Sequence, residues 1–138
     1  MLNELNVYLR SEEDEMLEDY WYDSALFVCE DILKKFSDEE WKELLKEISS
    51  ESVGWKKRLV ECLGELKSPY ELECIMKIIT TDDKDLFVAC IDSLRSIDTS
   101  ALQDGDKKNI VKQVKELLEE NNSLPVEKVL EDFLTIIS

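Results

Sequence analysis

Trp55-Lys56-Lys57-Arg58-Leu59-Val60-Glu61-Cys62-Leu63-Gly64-Glu65-Leu66 decides the fold when it is set against Leu86-Phe87-Val88-Ala89-Cys90-Ile91-Asp92-Ser93-Leu94-Arg95-Ser96-Ile97. A shift of 31 positions superposes Trp55 on Leu86, Leu59 on Cys90, Val60 on Ile91, Leu63 on Leu94 and Leu66 on Ile97. The shared spacing puts these residues on one face of a helix of 3.6 residues per turn. A fixed-period repeat of such helices is the mark of an α-solenoid, in which each hairpin buries its apolar face only against its neighbours.

The flanking sequence supplies the partners of these two helices. Trp41, Leu44, Leu45 and Ile48 make an amphipathic face that starts at a Ser37-x-x-Glu40 capping box, with Phe36 and Trp41 placed as a hydrophobic staple. Ser49 to Gly54 breaks the pattern, and so short a connection predicts an antiparallel pair. Ser68-Pro69-Tyr70-Glu71 opens the next helix with a second capping box, and Leu72, Ile75, Met76 and Ile79 form its inward face. Asp82 and Asp83 offer an N-cap to the apolar helix from Leu86, and a loop with Gly105 comes after it, from Asp98 to Asp106. Ile110, Val111, Val114, Leu117 and Leu118 mark another helix, and Pro125 opens the last, with Val126, Val129, Leu130, Phe133, Leu134 and Ile137 facing inward. Upstream lie a short helix through Leu5 and Leu9 and a longer one from about Glu13 to Phe36, with Leu17, Trp21, Ala25, Val28, Ile32 and Phe36 on its core side. The reading is an all-α single domain over 1–138: a short α-solenoid of about eight helices, with acidic N-terminal helices over 1–36 and three antiparallel hairpins over 37–138.

Composition agrees. The chain has 43% hydrophobic residues, only three Gly and two Pro, and a formal net charge of −16. An apolar complement this full argues against disorder. The charge repels nucleic acid and anionic lipid and favours a basic partner. The longest unbroken apolar run, Leu86 to Ile91, is too short to span a bilayer. Met1-Leu2-Asn3-Glu4 does not resemble the start of a secretory signal, which predicts a cytoplasmic protein. In that reducing setting Cys29, Cys62, Cys74 and Cys90 read as buried thiols, and the Asn121-Asn122-Ser123 glycosylation match carries no meaning.

Little in the sequence suggests catalysis. There is no histidine, so Ser–His and Cys–His pairs cannot be built, and the isolated Gly54, Gly64 and Gly105 form no phosphate-binding loop. Asp82, Asp83 and Asp85 lack the glycine and the continuing ligands of a calcium loop. No catalytic residue, metal or cofactor is expected.

The most unusual segment has no Lys or Arg between Arg10 and Lys34. It carries Glu12, Glu13, Asp14, Glu15, Glu18, Asp19, Asp23, Glu30 and Asp31, interleaved with Tyr20, Trp21 and Tyr22. Neighbouring helical side chains diverge by about 100°, so the three aromatics cannot all face one core. Tyr and Trp rimmed by charge are the residue types that most often carry interface energy. Glu12, Glu13, Asp14, Glu15, Glu18, Asp19, Tyr20, Tyr22 and Asp23 are therefore the expected contact residues for a basic protein, with Trp21 in the core. The plainer reading gives the acids a role at the positive end of a helix dipole and in solubility. The other candidate surface is the face of the second helices, with Lys56, Lys57, Glu61, Glu65, Asp92 and Arg95.

Pro69, Leu72, Ile75, Ile79, Asp82, Val88, Ala89, Leu94 and Ile97 resemble a HEAT or HEAT-like repeat, and the resemblance covers about two thirds of the chain, with Phe87 where such repeats usually carry Arg. An irregular helical bundle is the alternative arrangement. Small, acidic, stand-alone HEAT-like proteins are similar to bacterial immunity proteins of contact-dependent inhibition and other polymorphic toxin systems. That resemblance implies a protein that neutralises a cognate toxin domain by stoichiometric inhibition, with a basic nuclease as the expected target. Two further classes stay open: an acidic DNA mimic or adaptor, and a small enzyme that uses only carboxylates.

Overall fold

In the computed structural model, residues 2–10 and 20–137 are described, and among them there are eight α-helices and no strand. They are α1 (Leu2–Leu9), α2 (Leu26–Lys34), α3 (Asp38–Glu47), α4 (Val53–Cys62), α5 (Tyr70–Ile78), α6 (Lys84–Leu94), α7 (Asp104–Leu118) and α8 (Leu124–Ile137). A π-helical turn, Trp21–Ala25, runs directly into α2, and a 3₁₀ turn, Ile48–Ser50, extends α3.

The helices begin where short polar side chains can serve their first N–H groups. Ser37 and Glu40 form the full reciprocal capping box of α3, and Phe36 meets the Trp41 ring edge-on at 5.4 Å. The two repeated helices start alike: Ser52 caps α4 by accepting from the Trp55 N–H (3.1 Å), and Asp83, 31 positions later, caps α6 by accepting from the Leu86 N–H (2.9 Å). The superposed positions Trp55, Leu59, Val60, Leu63, Leu86, Cys90, Ile91 and Leu94 are all buried, while Leu66 and Ile97 pack at the margin. The repeat therefore marks equivalent core positions.

α4 packs against α2 on one side and α6 on the other, and α6 packs in turn against α8. α3 similarly adjoins α1 and α5, while α5 packs on α6 and α7 on α8. Ser93 of α6 donates to the Val60 carbonyl of α4 at 2.8 Å. At the N-terminal end, Trp55 Nε1 donates to the buried Asn6 side chain (2.9 Å), and Arg10 pairs with Glu47 and Glu51 (2.9 and 2.7 Å). These contacts hold α1 across α3 and α4.

Four details differ from the sequence expectation. Val28 is exposed rather than inward, and Cys29 and Leu33 take the core positions. The cause is the π turn, in which the Leu26 N–H bonds to the Trp21 carbonyl five residues back and rotates the helix beyond it. α4 ends at Cys62 instead of running to Leu66, because Gly64 (φ +124°) and Lys67 (φ +57°) carry the chain into a tight loop. Gly105 lies in the first turn of α7, not in the preceding loop. At Ser68 only half the capping box forms: Glu71 accepts from the Ser68 N–H (3.1 Å), whereas the Ser68 hydroxyl accepts from Tyr70 (3.2 Å). Pro69 already has helical dihedrals just ahead of α5.

Glu71 is itself buried, and its carboxylate collects the N–H groups of Gly64, Leu66 (3.4 Å) and Ser68 (3.1 Å). The loop between α4 and α5 thus closes on a side chain from the next helix. The four cysteines are free and buried. Burial pushes the Cys74 and Cys90 thiols up to about 12, and raises Cys62 with help from neighbouring Cys29. No helix among the described residues is long and apolar enough to cross a membrane.

Candidate partner-binding surface

The aromatic triplet is held from beneath. Trp21 is buried under the guanidinium of Arg58, 5.1 Å from its ring centroid, and Arg58 also donates to the Tyr8 carbonyl at the end of α1 (3.0 Å). With Trp21 pinned to α4, its neighbours point away from the core. Tyr20 is 45% and Tyr22 49% exposed, and Asp23 is exposed beside them. Glu12, Glu13, Asp14, Glu15, Glu18 and Asp19 lie outside the described residues.

Tyr22 does not stand alone. Its hydroxyl favours the ionised form of Glu61 on α4. Glu61 lines a groove of about 510 Å³ whose walls come from α2, α4, α6 and α8 and from the loop after α4. Five carboxylates, Glu30, Glu61, Glu65, Asp85 and Asp92, surround it, with Lys57 among them, and Leu26, Val88, Ala89 and Val129 supply apolar floor. Tyr22, from the first surface that the sequence suggests, thus acts on Glu61, from the second. Of the second set, Lys57, Glu61, Glu65 and Asp92 line the groove; Lys56 and Arg95 do not. Arg95 is engaged with Asp132 (3.0 Å) and with Asp92.

The electrostatics reflect partial burial in an acidic wall. Burial raises the Glu61 carboxyl above its ordinary value; the Tyr22 hydroxyl, Lys57 and Arg58 oppose the shift, and Asp92 adds to it. Glu30 is raised in the same sense, by burial first, with Glu65 and Asp31 adding and Lys34 opposing. Both carboxylates cost more to ionise than they would in water. A cation seated in the groove relieves that cost, so the arrangement favours an incoming ammonium or guanidinium.

Sequence reasoning does not single out Phe27 and Val28, exposed by 57% and 37% on α2. Phe27 lies seven residues after Tyr20, a helical repeat that is present in the sequence, but an inward face for Val28 obscures it. Among the described residues no cluster of His, Cys, Asp and Glu has the arrangement of a metal site. Comparison with known proteins gives no match: no family model, no curated protein and no solved structure is significantly similar to the chain.

Proposed function

We propose that the chain is a stoichiometric binding protein of the immunity type, in which an acidic, tyrosine-bearing surface covers a basic toxin domain. The observation that carries this reading is a groove lined by five carboxylates, one of which, Glu61, is acted on by the exposed Tyr22. It combines an aromatic anchor, charge of predominantly one sign and a concave floor. Long-range attraction from the carboxylates speeds encounter, and the tyrosines, once desolvated, slow dissociation. The π turn that presents them is an irregularity often found at functional sites. A basic nuclease fits as the target, because its own substrate groove must attract phosphate.

The same reading takes the eight helices as HEAT-like hairpins in a short solenoid. Support comes from the succession of contacts from α2 through α4 and α6 to α8, together with the matching caps of α4 and α6. In such a stack the second helices form one continuous face, and the groove lies on it.

The decisive experiment expresses the protein encoded beside this chain's gene and titrates its toxic activity with purified chain. Inhibition is expected to saturate at one-to-one stoichiometry. Tyr22→Ala and the combined replacement of Glu12, Glu13, Asp14, Glu15, Glu18 and Asp19 by Ser should each weaken binding by about tenfold or more at low salt. Unchanged affinity in both variants rejects the surface. A neighbour that is not inhibited, with no basic protein retained by the chain from its native host, rejects the function.

A carboxylate-only enzyme is the second reading, and one observation favours it: Glu30 and Glu61, both raised by burial, line a single groove. In that case Glu61→Gln abolishes turnover of a substrate while the helical content measured by circular dichroism is unchanged.

A further inference from the structure

The other end of the chain carries a surface of opposite character. α7 and α8 enclose a groove of about 570 Å³, with Val111, Leu134 and Ile137 as apolar floor and Lys107, Lys108, Lys112 and Lys115 along its α7 side. Lys108, Lys112 and Lys115 have the i, i+4, i+7 spacing of one helical face and extend about 10 Å along the axis. In a chain with 33 acidic residues, none of the four lysines makes an ion pair among the described residues, whose ion pairs engage Arg10, Lys84 and Arg95. Lys107 acts on Asp98 only through its field. Glu116 follows Lys112 by one turn and Glu119 follows Lys115 by one turn, toward the end of α7, so the charged side chains lining the stretch from Lys107 to Lys115 on the α7 side are cations alone. Lys115 lies in the last turn of α7, where a cation suits the helix dipole, but Lys107, Lys108 and Lys112 lie before that turn.

We propose that this groove is a second docking site, which takes a short acidic amphipathic helix from a partner protein. The chemistry selects the occupant. A row of ammonium groups one helical repeat apart matches carboxylates at the same spacing on an adjacent helix. The apolar floor takes the hydrophobic stripe of that helix, so a simple anion uses only half the site. The net charge of −16 repels any large acidic body, a second copy of this chain included, whose remaining surface comes within about 8 Å, the screening length at physiological salt. A short segment escapes most of that repulsion. The site lies on α7 and α8, distinct from the tyrosine-bearing surface, so the protein is built to join a basic partner to an acidic one.

The test uses the full chain and a fluorescein-labelled helical peptide of about 14 residues, with leucines at i, i+3, i+4 and i+7 flanked by glutamates. Fluorescence anisotropy should show saturable binding that weakens about tenfold or more in Lys108→Glu/Lys112→Glu, and by a smaller factor in the neutral pair Lys112→Gln/Lys115→Gln. Reversing two exposed lysines elsewhere, Lys42→Glu/Lys46→Glu, changes overall charge equally and should leave affinity within about twofold. Circular dichroism confirms that each variant keeps its helices. Equal binding of a scrambled peptide of the same composition overturns the proposal, as does an equal loss in the Lys42/Lys46 control. Preference for phosphatidylglycerol vesicles over the peptide also overturns it. A chain that sediments as a dimer until Lys108→Glu/Lys112→Glu separates it assigns the groove to a second copy and overturns the hetero-partner reading.

Discussion

Glu71 shows how one side chain can hold a loop that has no regular hydrogen bonding of its own. Three N–H groups of residues 64–68 converge on its carboxylate, that of Gly64 in a buried site and those of Leu66 and Ser68 in partly buried ones. An unserved buried donor costs about 1–3 kcal/mol. Glu71→Ala is therefore expected to destabilise the fold by about 3 kcal/mol or more in urea unfolding, with Glu71→Gln recovering part of the loss; an effect below about 1 kcal/mol would refute the role. Gly64 acts in the same loop through its backbone. Its φ of +124° lies where an L side chain is strained, so Gly64→Ala should cost about 1–3 kcal/mol even though the nearest side-chain atom, Ser96 Cβ, would lie 3.5 Å from the added methyl. An unchanged urea midpoint in that variant would show that the loop relaxes freely.

At the scale of elements, the starts of helices are legible in the sequence because capping is local chemistry. Ser37 with Glu40, and Asp83 ahead of Leu86, act within four residues of one another, and both caps form as their spacing predicts. Ser37→Ala should lower stability by about 1 kcal/mol, measured by urea unfolding; a neutral result would mean that Asp38 or solvent substitutes for the hydroxyl. The buried faces of α4 and α6 are legible as well, because a 31-residue self-match reports the same environment twice. Where the backbone leaves ideal helical winding, the 3.6 period misleads. The π turn at Trp21–Ala25 moves the inward position from Val28 to Cys29, and no side chain in that stretch signals an extra residue per turn. The exposure of Tyr20 and Tyr22 is consistent with helical geometry alone. The influence of Tyr22 on Glu61 is not legible that way, because it depends on how the turn leading into α2 packs on α4 across 39 positions of sequence. The lysine groove is hidden for a related reason: its row on α7 is visible in the sequence, but its floor needs Leu134 and Ile137 from α8.

The whole molecule sets charge against cohesion. With a net −16, self-repulsion opposes the compact state, and added salt screens it. Thermal unfolding in 0.5 M NaCl is accordingly expected about 3 °C or more above that in salt-free buffer; no change would mean that the acids already lie far enough apart. The pH dependence has two signs. Glu61 and Glu30 hold their protons longer in the folded state than in the unfolded chain. Their contribution is full below the ordinary glutamate range and is lost as pH rises through the raised values. Glu40 and Asp98, lowered by hydrogen bonds from the backbone N–H groups of Ser37 and Ser100, contribute above the ordinary carboxylate range and lose that contribution as pH falls through the lowered values. Glu61→Gln should therefore flatten the decline in stability as pH rises above the ordinary glutamate range, and an unaltered slope in that variant would exclude Glu61 as its source.

α6 has α4, α5 and α8 packed around it, whereas α7 packs chiefly on α8. Cooperative opening begins where the fewest neighbours must be released. Amide hydrogens in α6 should therefore exchange with deuterium last, at the rate of global unfolding, and those of α7 first. Opening of the C-terminal hairpin alone would uncover apolar side chains while Trp21 and its flanking tyrosines stayed in place. The two ends of the chain are thus able to lose order on separate timescales, and occupancy at one end can change without dissolving the other.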